Sequence, residues 1–112
     1  MRILLGVLVS LLFAAPAWAA SNVLTWTDNS TNETTFNIER KAEVCPGTLS
    51  FAPLATVGVN VATYTDSAVT EGVTYCYRVA ASNSAGVSAY SNTAGRTVPF
   101  SLPLAPSGLV VN

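Results

Sequence analysis

The sequence predicts an all-β sandwich, and three observations support that fold class. Beyond residue 19, apolar and polar residues alternate over short stretches, which is the period of a strand with one buried face. Turn-forming Asp, Asn, Pro and Gly residues separate these stretches at close intervals. No stretch shows the apolar period of an amphipathic helix. Six short strands would make a cramped barrel, so we predict two packed sheets.

The first nineteen residues predict a secretory signal peptide. Met1 and Arg2 form a short positive region, an apolar run spans 3–14, and Ala17-Trp18-Ala19 matches the small-x-small cleavage pattern. The apolar run is shorter than the roughly 20 residues that span a membrane, so an uncleaved anchor is the less favoured alternative. We expect cleavage after Ala19 and a secreted or periplasmic protein that does not contact the membrane after cleavage.

Each of the six predicted strands is bounded by turn-forming residues. The strands are predicted at 23–27, 34–41, 51–57, 61–65, 73–82 and 88–97. Pro53 cannot donate a hydrogen bond to a neighbouring strand, so the third strand belongs at a sheet edge. In the fifth strand Tyr75, Tyr77 and Val79 share one face, which makes that face large and apolar.

The apolar faces of these strands predict one core. Its predicted members are Leu24, Trp26, Phe36, Ile38, Leu54, Val57, Tyr64, Tyr75, Tyr77 and Val79.

Charge and residue content exclude several functions. Arg2 is one of five bases, so four bases and six acids remain beyond the signal peptide, with no run of either sign. Because nucleic-acid binding needs a basic patch, we expect no nucleic-acid partner. The chain has no His, so it lacks the commonest general base and any Ser-His or Cys-His nucleophile. Two Cys without His make no ordinary zinc site. We predict no enzyme, no catalytic residue, no cofactor and no metal.

Several strand motifs resemble the fibronectin type III family. They are Leu24-Thr25-Trp26, Phe36-x-Ile38-x-Arg40 and Tyr75-x-Tyr77-Arg78-Val79, with a last hairpin formed by Asn83–Gly86 and Ser88–Ser91. The resemblance spans about residues 22–97 and implies an immunoglobulin-like β-sandwich. It also implies that Tyr75 forms a tyrosine corner, with its hydroxyl bonded to the backbone of the preceding loop.

The resemblance further implies an exported, non-catalytic binding module that mediates or spaces extracellular contacts. The partner is an unknown protein or polysaccharide. One alternative is an accessory carbohydrate-binding module of a polysaccharide-degrading system, for which only Phe51, Tyr90 and Phe100 offer candidate exposed rings. A second alternative is a structural protein that assembles by exchanging a terminal strand.

One family element is out of place in this sequence. Family members begin with a strand of the form Ala-Pro-Ser-x-Leu, and here Ala105–Val111 resembles it near the other end. We therefore divide the chain into a signal peptide (1–19), the domain (20–97), a Pro-containing linker (98–104) and a strand-like tail (105–112). The tail could begin a following domain, insert into its own sandwich, or pair with a second molecule to give a homo-oligomer.

The two cysteines predict a disulfide. An even count in a small exported domain favours a bridge over free thiols, which remain the alternative. The resemblance places Cys45 and Cys76 at one end of the sandwich on neighbouring strands, with Cys76 pointing outward. A bridge would close a loop of roughly 30 residues and stabilise the fold by about 3–4 kcal/mol.

Overall fold

The computed structural model describes residues 20–112, and the predicted signal peptide lies outside them. Within this range the chain forms β-strands and no helix. The strands are β1 (Asn22–Thr25), β2 (Thr35–Lys41), β3 (Ala52–Gly58), β4 (Thr63–Asp66), β5 (Thr74–Asn83), β6 (Gly86–Val87) and β7 (Ala94–Thr97).

The strands form two antiparallel sheets. β1 and β4 make the smaller sheet, in which Leu24 lies opposite Tyr64. The larger sheet has the order β3-β2-β5, and the free side of β5 pairs with both β6 and β7. Apolar side chains from both sheets meet between them, which confirms the predicted β-sandwich.

β3 lies at the edge of the larger sheet, the position that Pro53 requires. The β2–β3 register shifts between Ile38 and Glu39, because Ile38 is opposite Ala55 while Glu39 is opposite Pro53. Leu54 is the extra residue of this bulge, and it packs against the core from the edge strand.

The prediction of one continuous sixth strand at 88–97 is wrong, since β6 and β7 are separated by residues 88–93. Serine side chains account for the interruption. The Ser88 and Ser91 hydroxyls accept the N–H groups of Ala81 and Val79, at 2.9 and 3.0 Å. Hydroxyls thus occupy places that carbonyls of a continuous strand would fill.

The buried side chains form two adjoining clusters. Phe36, Ile38 and Val79 make the first, and partly buried Trp26 and Tyr64 pack against it. These five residues all belong to the predicted core. The alternation of apolar and polar residues therefore predicted the members of this cluster on both sheets.

The second cluster consists of Tyr75, Tyr77 and Val98. Val98 is the first residue of the predicted linker, yet only 1% of it is exposed. Its N–H donates to the Val73 carbonyl and its carbonyl accepts the Gly72 N–H. The packed domain therefore extends one residue into the predicted linker.

Candidate functional site

A buried polar network joins the two sheets at the end where β4 finishes. Asp66 is 1% exposed, and its carboxylate accepts hydrogen bonds from the Tyr77 hydroxyl at 2.7 Å and from Arg40 Nη1 at 2.8 Å. Asn22 Nδ2 donates to the same Tyr77 hydroxyl at 2.8 Å. The network thus connects β1, β2, β4 and β5.

The charges of this network follow from its burial and its donors. Burial by itself raises the pKa of Asp66, but hydrogen bonds from Tyr77 and Arg40 outweigh it, and the pKa lies below its usual value. Burial, together with the Asp66 carboxylate, raises the pKa of Tyr77 to about 12. Tyr77 is therefore a protonated donor and Asp66 an ionised acceptor at neutral pH.

Tyr75 forms the tyrosine corner that the family resemblance implies. Its hydroxyl accepts the Thr70 backbone N–H at 3.0 Å, and the Arg40 guanidinium lies 4.9 Å from its ring centre. Sequence reasoning singled out Tyr75 and Tyr77 but missed Asn22 and Asp66, the two polar residues paired across β1 and β4. The only signal was their position at the ends of alternating strands.

Cys45 and Cys76 form the predicted disulfide, with Cα atoms 5.3 Å apart. Cys76 lies on the opposite face of β5 from Tyr75 and Tyr77, as alternation requires. It is nevertheless fully buried. Gly95 of β7 makes room for the bridge, because a Cβ there would lie 3.1 Å from Cys45 Sγ.

The outer face of the larger sheet carries an aromatic cluster built around Arg78. The guanidinium lies 3.6 Å from the Tyr90 ring centre and 4.3 Å from that of Phe51, and it pairs with Glu39 at 2.7 Å. These contacts hold both rings in place by cation–π attraction. Tyr90 remains 45% exposed, so its ring is available to a partner. We call Phe51, Arg78 and Tyr90 the outer-face cluster.

Phe100, the third candidate ring, lies elsewhere. It is 75% exposed and packs against Gly72, where an added Cβ would clash with its ring.

The acidic loop between β1 and β2 is held by its own hydrogen bonds. The Ser30 hydroxyl donates to Glu33 at 2.6 Å and also lies 3.2 Å from Asp28. The Ser30 hydroxyl and the Asn60 backbone N–H lower the pKa of Glu33 to about 2. A carboxyl with so low a pKa is a poor proton donor near neutral pH. Across residues 20–112, no three His, Cys, Asp or Glu side chains converge as a metal site would require.

An open groove of about 990 Å³ runs along the outer edge of β1. Leu24 and Trp26 form one wall, and Val79, Gly95 and Arg96 belong to the other. We call it the β1-edge groove. The Trp26 indole N–H is buried and has no hydrogen-bond partner within the described residues.

Comparisons with known proteins bear on the fold. No protein-family model matches the chain, and no curated protein does. Among solved structures, the chain resembles the sixth fibronectin type III domain of a human fibronectin type III domain containing protein, with a TM-score of 0.59. The two share 20% identity over 80% of this chain and 81% of that domain. This chain has the fibronectin type III fold.

The same fold matches small parts of two enzymes. A β-1,2-glucanase from Parabacteroides distasonis aligns at 20% identity and a TM-score of 0.64 over 78% of this chain and 12% of its own. A pectate lyase from Erwinia chrysanthemi, solved with tetragalacturonic acid, aligns at 18% identity and a TM-score of 0.60. The alignment covers 71% of this chain and 26% of the lyase. The chain thus spans a small fraction of either enzyme, and these similarities show the fold alone.

Residues 20–112 contain no helix that is long and apolar enough to cross a membrane. The disulfide is typical of proteins from oxidising compartments.

Proposed function

We propose that this fibronectin type III fold is an exported, non-catalytic module that mediates or spaces protein or glycan contacts outside the cytoplasm. The observation that carries the proposal is the outer-face cluster, a half-exposed tyrosine ring fixed on the flat side of a disulfide-bonded sandwich. A ring that is already ordered loses little entropy when a partner stacks on it. Tyr90 is therefore the centre of the proposed contact surface.

A glycan partner receives specific support from the same cluster. Sugar rings stack on exposed aromatic faces, and charged side chains beside those rings can hydrogen-bond to hydroxyl groups. Tyr90 offers its ring, and both Arg78 and Glu39 lie next to it. The same fold occurs within a glucanase and a pectate lyase, two enzymes that act on glycans, which is a further reason to test polysaccharides first.

Polysaccharide co-sedimentation tests the contact surface. Residues 20–112 would be mixed with a β-glucan or with pectin, using the wild type and the variants Tyr90→Ala and Phe51→Ala. Phe100→Ala is the matched control, since it removes an exposed ring outside the cluster. We expect the cluster variants to lose binding and the control to retain it. Equal binding by all four proteins, or none by the wild type, would reject the glycan surface.

Two further measurements test the remaining parts of the proposal. N-terminal sequencing of the exported protein should begin at Ala20, and a chain that keeps Met1 would contradict export with cleavage. Reducing-end assays on the same polysaccharides should show no turnover, and sugar release by the purified protein would contradict a non-catalytic role.

A further inference from the structure

The outer edge of β1 has unpaired backbone groups within the described residues. The Trp26 N–H donates to the Ala62 carbonyl on the β4 side, at 3.1 Å. Because backbone groups alternate between the two sides of a strand, those of Leu24 also face β4, while those of Val23 and Thr25 face the groove. No strand in residues 20–112 pairs with that edge. An open edge of this kind is a template for another strand.

A residue that lines the groove beside this edge also has an unmet hydrogen bond. Trp26 lines it, and its buried indole N–H has no acceptor among the described residues. A buried donor without a partner is destabilising, so a segment whose binding gives this N–H an acceptor gains free energy. The groove thus lacks a strand, and Trp26, one of its lining residues, lacks a hydrogen-bond acceptor.

The tail has the chemistry that this groove requires. Leu109 and Val111 are 92% and 89% exposed, and in an extended strand both would lie on one face. Ser107 shares that face and carries a hydroxyl. The segment 105–111 bears no charged side chain and belongs to no strand in the described structure. The tail therefore has the sequence of an apolar β-strand but pairs with no sheet in the described structure.

We propose that the β1-edge groove binds Ala105–Val111 of a second copy of this chain, as a strand antiparallel to β1. Antiparallel pairing continues the arrangement of the β1–β4 sheet and is the more stable kind of pairing. Leu109 and Val111 enter the groove beside Trp26. This proposal goes beyond the contact function. The groove shares Arg78 with the outer-face cluster, but neither Tyr90 nor Phe51 lines it.

The described path of the chain keeps the tail out of its own groove, because with Ser101 bonded to Glu71 an antiparallel strand cannot reach the far end of β1. β1 begins where β7 ends, since Arg96 donates to the Ser21 carbonyl, and the Ser101 hydroxyl bonds to Glu71 beyond that end. An antiparallel strand must enter at the other end, near Thr27. Ala105 lies at most about 14 Å from Ser101, which is four extended steps. The edge from Asn22 to Thr27 is about 17 Å long.

Each copy therefore donates one tail and accepts another. Such a head-to-tail contact joins different surfaces of the two molecules, so it produces a ring where the rotation closes and a linear chain where it does not. Both products depend on the tail and on concentration, which makes association the measurable consequence.

Sedimentation of residues 20–112 over a wide concentration range tests the association. We expect oligomers in the wild type and a monomer after deletion of 105–112, which removes no strand. Leu109→Asp should weaken association by roughly tenfold or more, because it places a charge in an apolar groove. Leu104→Asp is the matched control, since Leu104 is a linker residue that is also largely exposed, and it should leave association unchanged.

A peptide of residues 103–112, added to the deletion variant, tests the groove directly. Trp26 is the only tryptophan beyond residue 19, so its fluorescence should shift to shorter wavelength as the peptide binds. A protein that is monomeric at every concentration, or oligomers that survive the deletion, would overturn the proposal. A monomer that the deletion destabilises would also overturn it, because its tail would then occupy its own groove. Polysaccharide binding is scored separately, so either proposal can fail alone.

Discussion

Replacing Tyr77 by phenylalanine tests the polar network as the link between the two sheets. The change removes one hydroxyl, which donates to the Asp66 carboxylate and accepts from Asn22. Tyr75→Phe removes the same atom from a neighbouring core residue, where the hydroxyl accepts one bond from the Thr70 backbone. The two variants have matched volume loss and matched burial, so they differ in the hydrogen bonds that are lost.

The expected cost follows from those bonds. A hydrogen bond to a charged group contributes about 1.5–3 kcal/mol and a neutral one about 1 kcal/mol. Tyr77→Phe loses the charged bond to Asp66 and the neutral bond from Asn22, so it should lower the free energy of unfolding by about 3 kcal/mol. Tyr75→Phe loses one neutral bond and should cost about 1 kcal/mol.

Urea unfolding followed by Trp26 fluorescence measures both values. For a domain of this size each kcal/mol lowers Tm by roughly 4–8 °C, so thermal melts should rank the variants in the same order. A Tyr77→Phe variant as stable as Tyr75→Phe would refute the reasoning, because the bond to Asp66 would then contribute no more than a neutral one. A changed denaturant slope would call for a correction to the two-state assumption before the comparison is made.

Three further substitutions test separate features of the fold. Replacing Cys45 and Cys76 together by alanine should cost about 3–4 kcal/mol in urea unfolding, because the bridge closes a long loop in the unfolded chain; an equally stable double variant would contradict this. Glu33 has a folded pKa near 2, so its contribution is complete above its ordinary pKa of 4.5 and is lost as the pH falls toward 2. The stability difference between wild type and Glu33→Gln should therefore shrink over that range, and a constant difference would argue against the assignment. Val98→Ala should cost about 2 kcal/mol as a core truncation, whereas exposed Val110→Ala should change stability by less than about 0.5 kcal/mol. Equal effects of these two valine substitutions on stability would contradict the assignment of Val98 to the core.

The fold could be predicted from the sequence because alternation marks a buried face directly. Phe36, Ile38 and Val79 were identified in this way, and all three are buried. The prediction of one continuous sixth strand was wrong for a physical reason. An apolar pattern does not reveal that serine hydroxyls replace backbone carbonyls as hydrogen-bond acceptors. Alternation reports where side chains point and not which atoms complete the backbone hydrogen bonds.

The polar network could not be predicted, because it depends on register between strands that are distant in sequence. Asn22 and Asp66 are partners only in the observed alignment of β1 with β4, and a one-residue slip would send their side chains to opposite faces. Tyr77 lies within reach of both only after the sheets pack. The sequence shows which residues are polar, whereas packing decides which of them share a buried site.

The family resemblance and the structure together limit what the tail can pair with. The resemblance of Ala105–Val111 to a first strand left three alternatives, of which two place it on a sandwich other than its own. The structure adds the point at which the chain leaves the domain, where Val98 is buried and Ser101 is bonded to Glu71. While Ser101 keeps that bond, the far end of β1 lies out of reach for antiparallel pairing. The two remaining alternatives use the same strand chemistry, because a following domain and a second copy would each offer the tail an open edge. Binding of the tail peptide to the β1-edge groove would show that this chain itself provides such an edge.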